Sequence, residues 1–414
     1  MTSPQPAVRP YQLRRALAVL FGAHALGLLV PLLTVPWLAR QLGPTGWAPV
    51  LVAQALAGWA ILVLEFGFDL AGTREVAQAE SAADMALTAA KVQHARLLLT
   101  PLVGLGVLGT SYLLRLEWPL IVGTLCYVIA RGFSPYWFFQ GKQRIRAATT
   151  VDTLGKLLPA GAVFVFVQGA GDGWRVVALQ AVGASLATLA LTWRLHQQHA
   201  LPAVSTSDAV SALRSASPMF FARAASGLYL QANTLILSVM APAAAVAAFG
   251  GAERIVRAAI NLLIPITQAV FPRLSMLAKS APEQALRETR WLLVGLVSLA
   301  ICGAAGAAIL AAPIVHLLLG PSFDTSVPVM RLLVITIPLV SAGGVLGLYW
   351  ALPWRHERLF LGAVLLGGVT NLVLASVWVP RWEAMGMAGA AVVAEACVAT
   401  VLTVAFLRKT VSRR

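Results

Sequence analysis

The sequence predicts an all-helical integral membrane protein with about twelve transmembrane spans. Three observations carry that prediction. Of its 414 residues, 59% are hydrophobic and only 11% are charged, against about 25% charged in a soluble domain. Apolar runs near the length needed to cross a hydrocarbon core of about 30 Å recur along the whole chain. Lys and Arg gather in alternate loops between those runs. Strand-like alternation is lacking, so helices rather than a barrel cross the bilayer.

The polar, basic segment Met1 to Arg15 precedes an apolar run too long for a signal-peptide core and without a clear small-x-small cleavage site, so it reads as a retained first span. In the first half, spans are predicted at Ala16–Leu38, Ala48–Leu70, Ala95–Leu114, Pro119–Phe139, Leu154–Val167 and Trp174–Trp193. In the second half they are predicted at Pro218–Met240, Ala243–Phe271, Trp291–Leu319, Val327–Leu352, Leu359–Val379 and Met385–Leu407. The fifth is short. The eighth is over-long, so it either tilts or projects beyond the membrane.

Loops on the side of the two termini hold about twenty-two Lys and Arg, against about four (Arg40, Arg115, Arg175, Arg381) on the other. The positive-inside rule therefore predicts cytoplasmic termini and short outer loops. A polar link divides the chain into an N-terminal six-helix lobe (1–200), a cytoplasmic linker (201–217) and a C-terminal six-helix lobe (218–414). Both halves open with two long spans joined by a short outer turn, Gln41–Trp47 and Ala241–Pro242, which suggests two structural repeats.

The formal charge of +15 invites a nucleic-acid reading, but the basic residues are scattered over short loops, so they are read as topogenic and no nucleic acid is expected. Cys126, Cys302 and Cys397 lie far apart in apolar runs and read as small packing residues. The six histidines have no ligand spacing, no phosphate-cradling Gly-x-x-x-x-Gly-Lys loop occurs, and no acidic cluster suits magnesium. No catalytic residue, cofactor or metal is expected. Any pumping must then draw on an ion gradient, the membrane potential or the substrate gradient.

Arg131, Arg223, Arg254 and Arg257 lie within apolar runs. A guanidinium at the bilayer centre costs about 2.5–3.5 kcal/mol even on the lenient insertion scale, so such residues face protein or a wet cavity rather than lipid. Arg254 and Arg257 are three apart on one helix face, with Glu253 four before Arg257. Either Glu253 closes a local ion pair, or two arginines against one glutamate leave positive charge that suits phosphate, whose oxygens the planar fork binds in pairs. Arg223 either faces a cavity or snorkels. Arg131 either contacts substrate or pairs with Glu65 or Asp69 of the second span.

Glu65 and Asp69 are interfacial residues meeting water and arginines, or an ion-coupling pair. Glu395, deep in the last span, needs a partner on another helix or a protonated carboxyl. Gln231, Asn233, Asn261, Gln268 and Asn371 are amides in apolar runs, suited to bonds between helices or to sugar hydroxyls. Pro218, Pro265, Pro338 and Gly343-Gly344 are expected to bend spans.

Several segments carry a resemblance: Leu64-Glu-Phe-Gly-Phe-Asp-Leu-Ala-Gly-Thr-Arg-Glu-Val-Ala77, Ser134-Pro-Tyr-Trp-Phe-Phe-Gln-Gly141, Asn233-Thr-Leu-Ile-Leu-Ser238, Ala252-Glu-Arg254, Phe271-Pro-Arg-Leu-Ser275 and, more weakly, Leu319-Gly-Pro-Ser-Phe-Asp-Thr-Ser-Val-Pro-Val-Met-Arg-Leu-Leu333. Together they resemble O-antigen-type polysaccharide-biosynthesis flippases of the multidrug/oligosaccharidyl-lipid/polysaccharide exporter superfamily. That resemblance implies two six-helix lobes around a central cavity. It also implies export of undecaprenyl-diphosphate-linked oligosaccharide across the bacterial inner membrane, with a glycan polymerase and other assembly proteins as possible partners. The family often has Tyr at Phe249 and Lys at Arg254; the second difference keeps the charge, while the first removes a hydroxyl. The competing readings are a drug or cation exporter of the same superfamily and a polytopic glycan polymerase or glycosyltransferase.

Overall fold

The structure, a computed structural model, describes the backbone of residues 10–143, 145–263, 270, 273–274, 276–278 and 280–411. Side chains are described within that set except at 10–29, 222, 225–231 and 410–411. Pro265, Gln268 and the side chain of Gln231 lie outside the described residues. Among the described residues every regular element is helical.

The predicted runs are helices, but their ends move for local reasons. α1 (Pro10–Glu65) covers the first two predicted spans and is broken only at Gly43, with φ 64 and ψ 179. A side chain resists that left-handed backbone and glycine does not, so the expected turn Gln41–Trp47 contracts to a kink. The second span stops at Glu65 rather than Leu70, because Phe66 (φ 46) and Gly67 (φ 75) leave the helix before α2 (Phe68–Gln78).

α3 (Ala82–Leu113) begins thirteen residues before the predicted Ala95. Ser81 and Asp84 form a capping box: the Ser81 hydroxyl accepts from the Asp84 amide at 3.1 Å, and the Ser81 amide donates to the Asp84 carboxylate at 3.1 Å. The fourth span is split into α4 (Trp118–Gly132) and α5 (Tyr136–Gly141). Pro135 separates them, since it disfavours helical backbone at the residue before it. α6 (Ile145–Phe166) starts nine residues before its predicted span and ends one residue short of it, and α7 (Gly173–Gln198) outruns its predicted bounds at both ends.

α8 (Thr206–Met240) starts before Pro218, which it contains. A second reciprocal cap opens it: Ser205 and Asp208 exchange hydrogen bonds of 3.0 and 3.2 Å between amide and side chain. α9 (Ala243–Asn261) is shorter than expected, and the next described helix, α10 (Pro282–Ile309), is followed by α11 (Ala311–Leu318). The tenth span is divided into α12 (Ser326–Leu333), α13 (Thr336–Gly344) and a π-helical segment Val345–Ala351. Pro338 accounts for the first division, because its ring clashes with the carbonyl of Val334 in a continuous helix. α14 (Glu357–Val411) covers the last two spans and breaks at Glu383 (φ 46, ψ −122), just after Pro380.

Six stretches among the described residues have the length and apolarity to cross a membrane. Two of them, Val30–Gln78 with 49 residues and Glu357–Lys409 with 53, each exceed twice the roughly 20 residues of one crossing.

Contacts divide the chain into two compact units. The first comprises Met1–Thr34, Leu56–Gln168 and Asp172–Phe221. Its core includes Phe68, Trp137, Phe138, Phe139, Leu191 and Leu195. α6 and α7 approach there almost backbone to backbone: a Cβ on Gly183 would stand 2.2 Å from Pro159 Cγ and 2.3 Å from the Gly155 carbonyl oxygen. Small residues permit such close packing, which matters in lipid because apolar surroundings do not drive helices together. The second unit comprises Val35–Ala55, Gly169–Gly171 and Ala222–Arg414. Its core includes Leu346, Trp350, Leu402 and Phe406, and Trp47 meets Phe323 edge to face at 5.7 Å.

Gly183→Val is expected to lower unfolding stability by about 1–3 kcal/mol through overpacking. Gly161→Ala, with nothing within 4 Å of its Cβ position, should leave it unchanged or raised; thermal unfolding of the detergent-solubilised protein compares them. At the start of α8, the Ser205 hydroxyl and amide hold the Asp208 carboxyl below its ordinary 3.8. The depressed pKa means that this cap stabilises the fold above about pH 4 and is lost as pH falls below 3.8. Ser205→Ala, which removes the hydroxyl but keeps the amide, should shrink that acid-side difference in hydrogen exchange of the first turn of α8.

Candidate functional site

In the second unit, α9 turns one face to a cavity. Ala252 is buried against its neighbours. Phe249, Glu253, Val256, Arg257, Ile260 and Asn261, spaced by one to four residues, line a cavity of about 260 Å³. Asn233 from α8, Thr336 and Val340 from α13, and Ala391 and Glu395 from α14 complete much of its wall. Four predicted site residues, Asn233, Glu253, Arg257 and Glu395, therefore meet in one place.

The polar groups there are mutually arranged. Arg257 Nη2 donates to Glu253 Oε1 at 2.7 Å, one turn back along α9. The Asn371 amide donates to the Asn233 side-chain oxygen at 2.7 Å, and both residues are buried. This pair joins α8 to α14, as the interhelical reading of these amides anticipates. The Thr336 hydroxyl donates to the Leu333 carbonyl at 2.6 Å. By formal charge the cavity holds two carboxylates against one guanidinium.

Arg254 takes a different direction. Although three residues from Arg257, it does not line this cavity. Its guanidinium donates to Gln54 Oε1 and stands 5.3 Å from the centre of the Trp47 ring. Among the described residues these direct partners are a neutral amide and an indole face. A cation over tryptophan is stabilised by about 0.5–2 kcal/mol without being neutralised. Both Trp47 and Gln54 lie on the stretch of α1, Val35–Ala55, that belongs to the second unit. Arg223 is half-buried on α8 and lines no part of the cavity.

Arg131 belongs to the first unit, and its charge is answered there. Its Nη1 lies 2.6 Å from Asp152 Oδ1 on α6, and Lys156 meets the other oxygen of the same carboxylate at 2.6 Å. The sequence reading offers Glu65 or Asp69 as partner; the direct partner is Asp152, with Glu65 within electrostatic reach. Arg131 is therefore no uncompensated cation. Glu65 and Asp69 flank the break between α1 and α2. Both lie within electrostatic reach of Arg96.

Arg96 is the residue the sequence reading misses. It is 2% exposed, donates to the Ser134 carbonyl at 3.2 Å and lies 6.0 Å from the Trp137 ring centre. With the third span predicted from Ala95, it sits at an apparent membrane boundary. The Ser81–Asp84 cap was the available signal, because it starts the helix earlier and draws Arg96 inside. Asp152 is missed likewise, two residues before the predicted fifth span. Gln54 bears no pattern that sets it apart. Among the described residues, no group of three or more His, Cys, Asp or Glu could hold a metal ion.

The polysaccharide biosynthesis protein family model matches residues 13–278. A Shigella dysenteriae protein named "Putative O-antigen transporter" is 26% identical over 382 residues, covering 91% of this chain and 95% of its own. An Escherichia coli (strain K12) protein of the same name is 27% identical, covering 96% of this chain and 97% of its own. The lipid II flippase MurJ in an inward closed conformation shares the fold with TM-score 0.74 and 11% identity, over 94% of this chain and 86% of that one. An inward-facing multidrug resistance MATE family transporter of the MOP superfamily superposes with TM-score 0.66 and 13% identity, over 93% and 98%. With a family model matching well over half its length, this polytopic membrane chain belongs to the polysaccharide biosynthesis protein family.

Proposed function

We propose that this chain is a flippase, not an enzyme, that moves undecaprenyl-diphosphate-linked oligosaccharide across the bacterial inner membrane for surface polysaccharide synthesis. Family membership and relatives named as O-antigen transporters support the reading. The single structural observation behind it is Arg254, a half-buried guanidinium whose direct described partners carry no charge. It attracts the diphosphate, with Arg223 adding positive potential and Arg257, paired with Glu253, contributing less. Asn233 and Asn261 offer amides to sugar hydroxyls. Arg131 stays with Asp152 and serves the first unit's packing.

Transport alternates access between two six-helix lobes, residues 1–200 and 218–414, joined by the linker 201–217. The loop charge bias supports cytoplasmic termini. Glu65, Asp69, Glu253 and Glu395 are the carboxylates available for ion coupling, and a glycan polymerase is a natural downstream partner.

A second reading has its own observation: Glu253 and Glu395 outnumber Arg257 in the cavity. That balance suits a cationic guest, as in a drug or cation exporter. Organic-cation export by purified protein in liposomes, lost in Glu395→Gln, would favour it over the flippase.

In a glycan-assembly mutant lacking its own flippase, the Arg254→Ala/Arg257→Ala double variant should restore at least about tenfold less surface glycan than wild type, a change of about 1.4 kcal/mol. Immunoblotting checks that membrane levels match. Complementation equal to wild type overturns the role of the pair. Asn371→Ala should lower stability by about 0.6–2 kcal/mol by stripping Asn233 of its partner, read as a lower thermal midpoint.

A further inference from the structure

A second cavity, of about 580 Å³, lies between α4 and α7 in the first unit, apart from every residue assigned to substrate above. Its volume falls within the roughly 300–1,000 Å³ range of ligand sites. Gly123 draws the two helices close: a Cβ there would lie 3.3 Å from the Ala178 amide nitrogen. The small side chains of Cys126 and Ala178 leave the recess open. Trp174, Val182 and Leu186 border it and face outward, each more than a third exposed. Ser185 supplies the only hydroxyl in its lining. In a membrane-spanning bundle, such an apolar outward recess is filled by hydrocarbon rather than water.

Its length and its mouth identify the hydrocarbon. Trp174 and Leu186 are twelve residues apart on α7, about 18 Å at 1.5 Å per residue. That is close to one leaflet, half of a core of about 30 Å. Trp118 and Trp174 stand at the N-terminal ends of α4 and α7, where interfacial tryptophans belong. Arg175 is fixed at that same end. Its Nη1 is 3.0 Å from Asp172 Oδ1 and donates to the Phe166 carbonyl at 2.9 Å, while the guanidinium lies 5.7 Å from the Trp174 ring centre. It remains substantially exposed. Glu117 occupies the N-cap position of α4 beside Trp118, while Asp172 and Arg175 pair at the start of α7, so a cation and a carboxylate sit together at that end.

We infer that this groove holds one acyl chain of a zwitterionic glycerophospholipid, with the phosphate at Arg175 and the ammonium toward Asp172. The one-leaflet length and the mixed charge at the mouth favour a bilayer phospholipid over a polyprenyl diphosphate, whose head is wholly anionic. The site does not depend on the flippase reading.

The test uses the full chain in nanodiscs containing phosphatidylethanolamine with a diazirine in one acyl chain, with photolabelled peptides mapped by mass spectrometry. Labelling of α4 and α7 around Cys126 and Val182 should exceed that of lipid-facing Val294, Leu299 and Ile301 on α10 by about tenfold, the mark of a retained rather than a passing lipid. Cys126→Phe fills the recess from an exposed position and should reduce labelling to the α10 level with an unchanged thermal midpoint. Ser185→Phe serves if that variant fails to fold. Uniform labelling, labelling indifferent to the filling substitution, or selective capture of a diazirine polyprenyl diphosphate that phosphatidylethanolamine does not displace would each overturn the assignment.

Discussion

A guanidinium inside the hydrocarbon layer has to be answered by the protein, and this requirement organises both units. Water is not at hand, and an isolated charge there is costly. The chain gives four different answers. Arg131 meets a carboxylate on another helix, Asp152. Arg257 meets one on its own helix, Glu253. Arg96 takes a backbone carbonyl and an indole face, and Arg254 an amide and an indole face. Three of the four reach between elements: α4 to α6, α3 to the α4–α5 break, and α9 to α1. The arginines are thus structural ties as well as charges.

The helix breaks belong to the same logic. Pro135 interrupts the fourth span and leaves the Ser134 carbonyl available, and that carbonyl accepts from Arg96. Non-helical backbone at membrane depth is tolerated where protein or a wet cavity satisfies it. The break at Phe66–Gly67 has Glu65 on one side and Asp69 on the other, both in the field of Arg96. Phe66 stacks on Phe220 at 4.4 Å, nearly parallel, which fixes the break against α8. Discontinuity and charge occur together because each satisfies the other.

The fold was legible because lipid imposes a length and an apolarity that any window detects. The ends of spans were less so, since they depend on caps and prolines rather than on hydropathy. Ser81 and Asp84 start α3 inside what reads as a polar loop, and Pro338 divides what reads as one apolar run. The candidate site was legible in its residue types: Asn233, Glu253, Arg257 and Glu395 stand out as polar in apolar runs, and they converge. Their partners were not legible. Asp152 and Arg96 lie close to predicted span ends, where a charge passes as interfacial. Gln54 is one amide among many until a helix 200 residues away places an arginine against it.

That last contact sets Arg254 apart from its neighbour Arg257. Arg257 faces the cavity, but Glu253 holds it at 2.7 Å and Glu395 shares the same wall, so the cavity by itself does not concentrate positive charge. Arg254 is turned away from that wall by its position in the helical repeat, toward Gln54 and Trp47. Neither group carries a formal charge, and an indole face orients a guanidinium while leaving its monopole intact. Arg254 is therefore the arginine of α9 whose direct described partners leave its charge uncompensated, while Glu253 and Arg257 roughly cancel beside it. A planar fork held by neutral groups can exchange an amide oxygen for phosphate oxygens without stranding a buried carboxylate, which is the penalty that breaking the Arg131–Asp152 or Arg257–Glu253 pair would carry.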